Sequence, residues 1–355
     1  MSFIPYENFR TNRRMKKTVP VDDAVGMVLP HDITEIVKDE FKGRAFKKGH
    51  IIREQDIEHL KRLGKEHIYV LKLGPEEIHE NEAAEILATA LAGPGSMLSS
   101  EPIEGKIAIL AERDGLLKIN EEALYRFNLL GEVMCATLQT NTPVKKGDNI
   151  AATRLIPLVS ERKIVLEAAQ IASDANPMVE VKELRKARAS LVITGNEVFH
   201  GRIKDKFEKV LREKLVELGS EVISVTFAPD DIHIIAEAIT NSIDAGADLI
   251  ITSGGMSVDP DDVTRTGIEK AGATDCYYGT PVLPGAMFLS GRIGDIPVLG
   301  LPACGMFHNI TVFDLILPRI LTGEQIGREE FAKMGHGGLC RNCKRCQYPV
   351  CSFGK

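Results

Sequence analysis

From Arg188 the chain alternates buried apolar runs with amphipathic ones, and this alternation constrains the fold more than any other feature. "ASLVIT" (189–194) reads as a buried strand and "GNEVFHG" (195–201) as a loop. A helix is expected over Ile203–Leu218, with Ile203, Phe207, Val210, Leu211, Leu215 and Leu218 on one face and Gly219 as its stop. Strand "EVISVTF" (221–227), helix "IHIIAEAITNSIDA" (232–245) and strand "DLIIT" (248–252) continue the pattern. A β-α-β-α-β order predicts a mostly parallel sheet covered by helices on both faces, a three-layer α/β domain. "MFLSGRI" and "IPVLGLP" read as a hairpin turning at Gly294–Asp295, and a closing helix is expected over Met306–Leu321, bent or ended by Pro318.

In an open α/β sheet, ligands bind beyond the carboxyl ends of the strands. Three loops belong there: "TGNEV" (194–198), "SGGMSVDPDD" (253–262) and "LPACG" (301–305). Glycine loops and helix N-termini expose backbone N–H groups that suit an oxyanion such as phosphate. The carboxylates Asp259, Asp261 and Asp262 suit a divalent cation that would neutralise it. A purely structural account competes with this. Asp259 as N-cap, Pro260 as first helical residue, and Asp261 and Asp262 as first-turn acids would explain the same letters through the helix dipole. Glu197 taken alone reads better as a solvated loop acid than as a site residue. Cys304 reads as a small buried hydrophobe beside the ligand loops.

The remaining chain divides by pattern. Residues 1–92 form an N-terminal α+β region, with a helix over Gln55–Leu63, a strand "HIYVL" (67–71) and a helix in 75–92 opened by Pro75. The "GPG" stretch (93–95) is taken as a boundary. Residues 105–187 read as a small β domain with a helical connector in "VSERKIVLEAAQIA" (159–172), 188–325 as the α/β domain, and 326–355 as a cysteine-rich tail. At 355 residues, with ordinary domains of roughly 100–200 residues, two or three domains are expected. A net charge of −6 gives no electrostatic footprint for nucleic acid or for a broadly basic membrane surface. The opening segment has two adjacent arginines and no apolar run after them, so neither a secretory nor a twin-arginine signal is expected. No stretch approaches a bilayer span, and the expected location is cytoplasmic.

With these motifs in place, the block from about 188 to 325 resembles the molybdopterin-binding domain shared by molybdenum-cofactor biosynthesis proteins. It is most similar to molybdopterin molybdenumtransferases, whose "TGDE" and "SGGVSVG…D" loops stand here as "TGNEV" and "SGGMSVDPDD". "DDAVGMVLPHDIT" (22–34) resembles the opening segment of the same family more loosely. The resemblance implies binding of molybdopterin and insertion of molybdate into its adenylylated form, with release of AMP and use of magnesium. It places Glu197 and Asp262 as catalytic residues, with Asp262 at the cation for which the clustering alone already offers Asp259, Asp261 and Asp262. Thr194, Gly195, Ser253, Gly254, Gly255, Ser257, Pro284, Gly285 and Pro302 would surround the pterin, and a homodimer is implied. Two departures favour an alternative, a non-catalytic pterin carrier, sensor or chaperone for a molybdenum enzyme. "PGAM" (284–287) replaces the family's "PGKP", removing a lysine, and "LPACG" replaces "LPGNP". About 30 residues follow the core, too few for the family's C-terminal β domain.

Those residues carry a motif of their own. Cys340, Cys343, Cys346 and Cys351 stand as C-x2-C-x2-C-x4-C, with Arg341, Lys344 and Arg345 among them and no acid. Such clustering implies a metal. A closed tetrahedral zinc site is the simpler structural role; an iron–sulfur cluster is the competing one, since the C-x2-C-x2-C opening is similar to ferredoxin-type ligand runs.

Overall fold

The computed structural model describes residues 17–27, 29–37, 41–70, 75–257, 259–260 and 262–354. Asp261 therefore lies outside the described residues, as do residues 1–16 and Leu71 at the end of the expected strand.

The alternating block folds into a six-stranded sheet. Its elements are β1 (Arg188–Thr194), α1 (Phe207–Glu217), β2 (Glu221–Ala228), α2 (Ile232–Asp244), β3 (Leu249–Ser253), α3 (Thr264–Lys270), β4 (Thr274–Tyr278), β5 (Leu289–Ile293), β6 (Ile296–Leu301) and α4 (Val312–Leu321). Strand order is β2-β1-β3-β6-β5-β4. The first three pairings are parallel and the last two antiparallel, the expected β5–β6 hairpin being one of them. Successive side chains point to opposite faces of a strand, which is why residues 191–193 of β1 and 249–251 of β3 are apolar without a break. Leu191, Ile193, Leu249 and Ile251 pack with Phe207, Leu211, Leu215 and Ile316 on one side. Val192 and Ile250 pack with Ile235, Ile239 and Ile268 on the other. The result is the three-layer arrangement expected from the sequence.

Three boundaries differ from expectation. The first helix begins at Phe207, not Ile203, because the Asp205 carboxylate accepts hydrogen bonds from the Phe207 and Glu208 amides at 2.9 Å each and caps it there. The closing helix begins at Val312, where Thr311 and Asp314 form a reciprocal capping box, and it runs on through Pro318 to Leu321. The third is the start of α3. The sequence allowed a helix opening at Asp259 and Pro260, but α3 starts at Thr264 and carries no acid in its first turn. Asp259 and Asp262 therefore stand in the loop, and the helix-dipole account does not explain them.

The N-terminal half forms two units. Residues 17–70 enclose a small core of Val21, Leu29, Phe46, Ile52 and Leu60. The helix Glu80–Leu91, assigned by sequence to this region, instead buries Ala83, Leu87 and Leu91 in the same core as Ile109, Leu117, Phe127, Val165 and Val181. "GPG" is thus a turn inside a unit running from Glu77 to Lys182: Gly93 N–H donates to the Val179 carbonyl, and a Cβ on Gly93 would sit 2.6 Å from that oxygen. This unit combines a four-stranded and a three-stranded sheet with helices Glu80–Leu91, Glu121–Leu129 and Arg162–Ala175. The connector helix was expected; Glu121–Leu129 was not.

His79 joins the two N-terminal units. Its Nε2–H donates to the Pro30 carbonyl at 2.6 Å, and Nδ1 accepts from the Asn81 amide at 3.2 Å and faces Lys48 Nζ at 2.8 Å. Burial first, and the Lys48 ammonium second, hold this imidazole at about 4, below its ordinary 6.5. A depressed histidine pKa means that the unfolded chain binds the proton more readily. The stabilisation is therefore complete above about pH 6.5 and drains away as the pH falls toward about 4. The thermal midpoint of the native chain is expected to drop more steeply across that window than that of a His79→Asn variant. Parallel curves from calorimetry at successive pH values would refute the linkage.

Candidate functional site

The parallel register fixes where the loops leave the sheet. Ile193 pairs with Ser253 and Ser253 with Leu301, so the segments beginning at Thr194, Gly254 and Pro302 emerge side by side at one edge. They open onto a cavity of about 570 Å3 lined by Thr194, Glu197, Gly254, Gly255, Ser257, Asp262, Pro284, Gly285 and Pro302, with Lys204, Lys206, Met256, Met287 and Cys304 among the other wall residues. Nine of the residues assigned to the site by sequence, and Cys304 beside them, thus share one cavity.

The paired glycines have a steric explanation. Gly254 and Gly255 both take positive φ, +90° and +53°; a Cβ on Gly254 would meet the Thr194 carbonyl oxygen at 2.3 Å, and one on Gly255 would meet Thr264 Oγ1 at 2.3 Å. The chain therefore folds flat against the end of β1. The Thr194 hydroxyl locks the arrangement, lying 3.1 Å from the Ser253 carbonyl and 2.7 Å from Thr264 Oγ1, with all three residues buried. From this anchored turn the loop swings Ser257 and Asp262 over the cavity. Asp262 N–H donates to the Asp259 carbonyl at 2.9 Å, closing a short turn.

Glu197 stands in a single helical turn, Asn196–Phe199, directly after β1. The Asn196 amide donates to Asp230 at 2.8 Å and fastens this turn to the end of β2. Across the cavity, the 279–288 loop is closed by Thr280 N–H to the Ala286 carbonyl at 2.8 Å and by Phe288 N–H to the Gly285 carbonyl at 3.1 Å. Gly285, at φ +122°, packs against Val312, which a Cβ would strike at 2.5 Å. "LPACG" forms a 3-10 turn, Ala303–Met306, that brings Cys304 to the wall half-buried, where burial pushes its thiol up from the ordinary value.

Three residues marked by sequence do not line the cavity. Ser253 and Gly195 lie beneath the loops, Ser253 with a buried hydroxyl that has no hydrogen-bond partner among the described residues. Asp259 is exposed and is not one of the wall residues. The sequence reading passed over Lys204 and Lys206. They flank the capping Asp205, so the signal that could have found them was the helix start itself: the segment entering α1 must cross the sheet edge where the ligand loops emerge. Among the described residues, no three His, Cys, Asp or Glu side chains gather to hold a metal ion.

A three-layer α/β domain with glycine loops at the carboxyl edge of a parallel sheet defines the class. The comparisons make it particular. A family model described as "Probable molybdopterin binding domain" matches residues 190–322, and one described as a domain of unknown function matches residues 18–72. The α/β core is thus similar to that probable molybdopterin-binding domain, and the resemblance to molybdenum-cofactor biosynthesis proteins holds for this part of the chain. A molybdopterin molybdenumtransferase of Haemophilus influenzae is 26% identical over 247 residues, 66% of this chain and 56% of that protein. A CinA-like protein of Thermosipho melanesiensis is 37% identical over 83 residues, 23% of this chain and 20% of that one. The chain therefore spans about half the length of the first relative and a fifth of the second. Among solved structures, the Mog protein of Mycobacterium ulcerans (22% identity, TM-score 0.34) covers 39% of this chain with 98% of its own, and CinA of Thermoplasma acidophilum (19%, 0.34) covers 38% with 98%. Among the described residues, no helix is long and apolar enough to cross a membrane.

Gly254 and Gly272 test the steric account against each other. Their φ angles are +90° and +93°, but a Cβ on Gly272 would meet nothing within 4 Å. Both alanine variants suffer the backbone penalty, on the order of 1 kcal/mol; Gly254→Ala is expected to be clearly the less stable in urea unfolding. Equal losses would mean that contact with Thr194 is unimportant.

Proposed function

We propose that the cavity binds molybdopterin and that the chain inserts molybdate into the adenylylated form, releasing AMP. The observation that carries this reading is the composition of one wall-to-wall space: three carboxylates line it, Glu197, Asp262 and the helix-capping Asp205, together with two ammonium groups, Lys204 and Lys206. A phosphorylated pterin needs cations for its phosphates and oxygen donors for its ring N–H groups, and this set supplies both. In this reading Lys204 and Lys206 take over the charge that the family's "PGKP" lysine would have brought.

The donor set also fits magnesium. Magnesium keeps several waters and is bound through one or two carboxylates plus substrate phosphates, without a dedicated protein cage. Asp262, with Glu197 as its partner across the cavity, meets that requirement; Asp205 does not, because its carboxylate is committed to capping α1. The cation, when bound, would polarise the phosphate bond and offset charge on the departing AMP. Asp262 orients it, Glu197 shares that load or accepts from the pterin ring, and the buried Thr194 hydroxyl holds both loops at fixed separation. Asp259, standing outside the cavity, has no direct role here. Ser257, Pro284, Gly285 and Pro302 shape the wall; Gly195 and Ser253 act from beneath it. A cytoplasmic homodimer belongs to the same proposal and is checked by sedimentation of the purified chain.

A non-catalytic carrier, sensor or chaperone for a molybdenum enzyme is the second reading, and a specific observation favours it. Ala286 and Met287 stand in the wall where the transferases carry Lys-Pro, and Cys304 where they carry the asparagine of the Gly-Asn-Pro turn, so the wall is more apolar here. The two readings part in one assay, incubation with adenylylated molybdopterin, molybdate and magnesium. Transferase activity predicts molybdate-dependent AMP release, abolished in Asp262→Asn with the thermal midpoint unchanged. Tight pterin binding without AMP would leave the carrier.

The lysines give an independent check that does not need turnover. A charge-assisted hydrogen bond contributes on the order of 1.5–3 kcal/mol, so Lys204→Met with Lys206→Met should weaken binding of adenylylated molybdopterin at least about tenfold. Unchanged affinity by calorimetry would remove both lysines from the site.

A further inference from the structure

The pterin cavity does not absorb the cysteine-rich segment, and its fold is informative. Residues 338–354 leave the core and return to it. Cys340 N–H donates to the Leu283 carbonyl at 2.8 Å and Leu283 N–H to the Gly338 carbonyl at 2.8 Å. At the far end Gly354 N–H donates to the Gly337 carbonyl at 3.0 Å, and Phe353 is buried in the α/β core. Cys340, Tyr348 and Cys351 pack against the same core. Between these anchors residues 341–347 are exposed and without helix or strand. An exposed irregular loop held at both ends has few contacts of its own to fix its path.

All four cysteines of the motif line a single cavity of about 230 Å3 behind that loop, with His308, Asn342 and Phe353 among its other walls. All four are free thiols. A single zinc ion would draw its four sulfurs to about 3.8 Å from one another, given 2.3 Å bonds in a tetrahedron. The thiols here are not gathered at such a point; they surround a space. That space is several times the roughly 30 Å3 occupied by one water-sized particle. The Asn342 amide already donates to Cys340 Sγ at 3.5 Å, the kind of contact that supports a ligating thiolate. Arg341, Lys344 and Arg345, placed on the loop itself, offset the net negative charge that four thiolates bring.

We propose that Cys340, Cys343, Cys346 and Cys351 ligate a four-iron iron–sulfur cluster in this cavity, in place of the simpler zinc site that spacing alone favours. Soft thiolates with no carboxylate between them suit zinc and iron–sulfur cores alike; a cluster that brings its own sulfide spreads its protein ligands around a volume, as the four cysteines lining this cavity are spread. The proposal is independent of the pterin reading, yet the two cavities share a wall. Leu283 lines the pterin cavity and is paired to the cysteine segment through its backbone, and Met306, on the pterin side, runs directly into Phe307–Ile310, which line the cysteine side.

The test uses the full chain, purified without oxygen and reconstituted with ferrous iron and sulfide, with zinc alone in a parallel sample. About four iron and four sulfide per chain are expected, one iron per cysteine, with broad visible absorption that bleaches on reduction. Cys343→Ser and Cys346→Ser replace exposed thiols, so both variants should keep the native circular dichroism and lose most of the iron. Three results would overturn the proposal: stoichiometric zinc with iron and sulfide absent, no metal retained under either condition, or full iron content in both serine variants.

Discussion

The site depends on one close approach. Gly254 and Gly255 lie against Thr194 and Thr264 at distances that leave no room for a Cβ, and the Thr194 hydroxyl ties the two strand ends and the start of α3 together. Because the β1–β3 register is parallel, this contact forms where both chains leave the sheet. It sets the direction in which the long acidic loop departs, and so where Asp262 can stand. The buried hydroxyl also supplies a hydrogen bond in a place closed to water, where an unmade bond is expensive. Sheet, turn and loop are therefore one mechanical unit.

The α/β core was readable because its strands are buried on both faces. Runs such as "LVIT" and "LIIT" need apolar residues at every position, and helices α1 and α2 between them each show one apolar stripe. Local chemistry was less decisive at element ends. "VDPDDV" carries every letter of a helix start, but Thr264 is needed beneath the glycine turn, and that tertiary contact delays α3 by several residues. The helix Glu121–Leu129 escaped notice because its buried stripe is narrow, Ala123 and Phe127, while Tyr125 and Leu129 are exposed. In both cases long-range packing outweighed the local pattern.

The candidate site was half legible for a related reason. Motif letters located the loops that follow strands, since a strand's end is a local event. Lys204 and Lys206 reach the same cavity from a segment whose own letters describe only a helix cap, and nothing in their spacing tells which loops they face. Ser253 shows the reverse: it sits inside the motif but lies below the cavity, with its hydroxyl buried. A motif marks the backbone path of a site more reliably than the side chains that line it.

The bridge between Leu283 and Leu339 has a consequence for biosynthesis of the protein itself. The 279–288 loop is made well before the segment that braces it from behind. On the ribosome, where chains fold from the N-terminus as they emerge, the sheet and the glycine turn can form while one wall of the cavity at the sheet edge still lacks its brace. The pocket wall is thus completed only after the cysteine segment has been translated: loops first, closure afterwards.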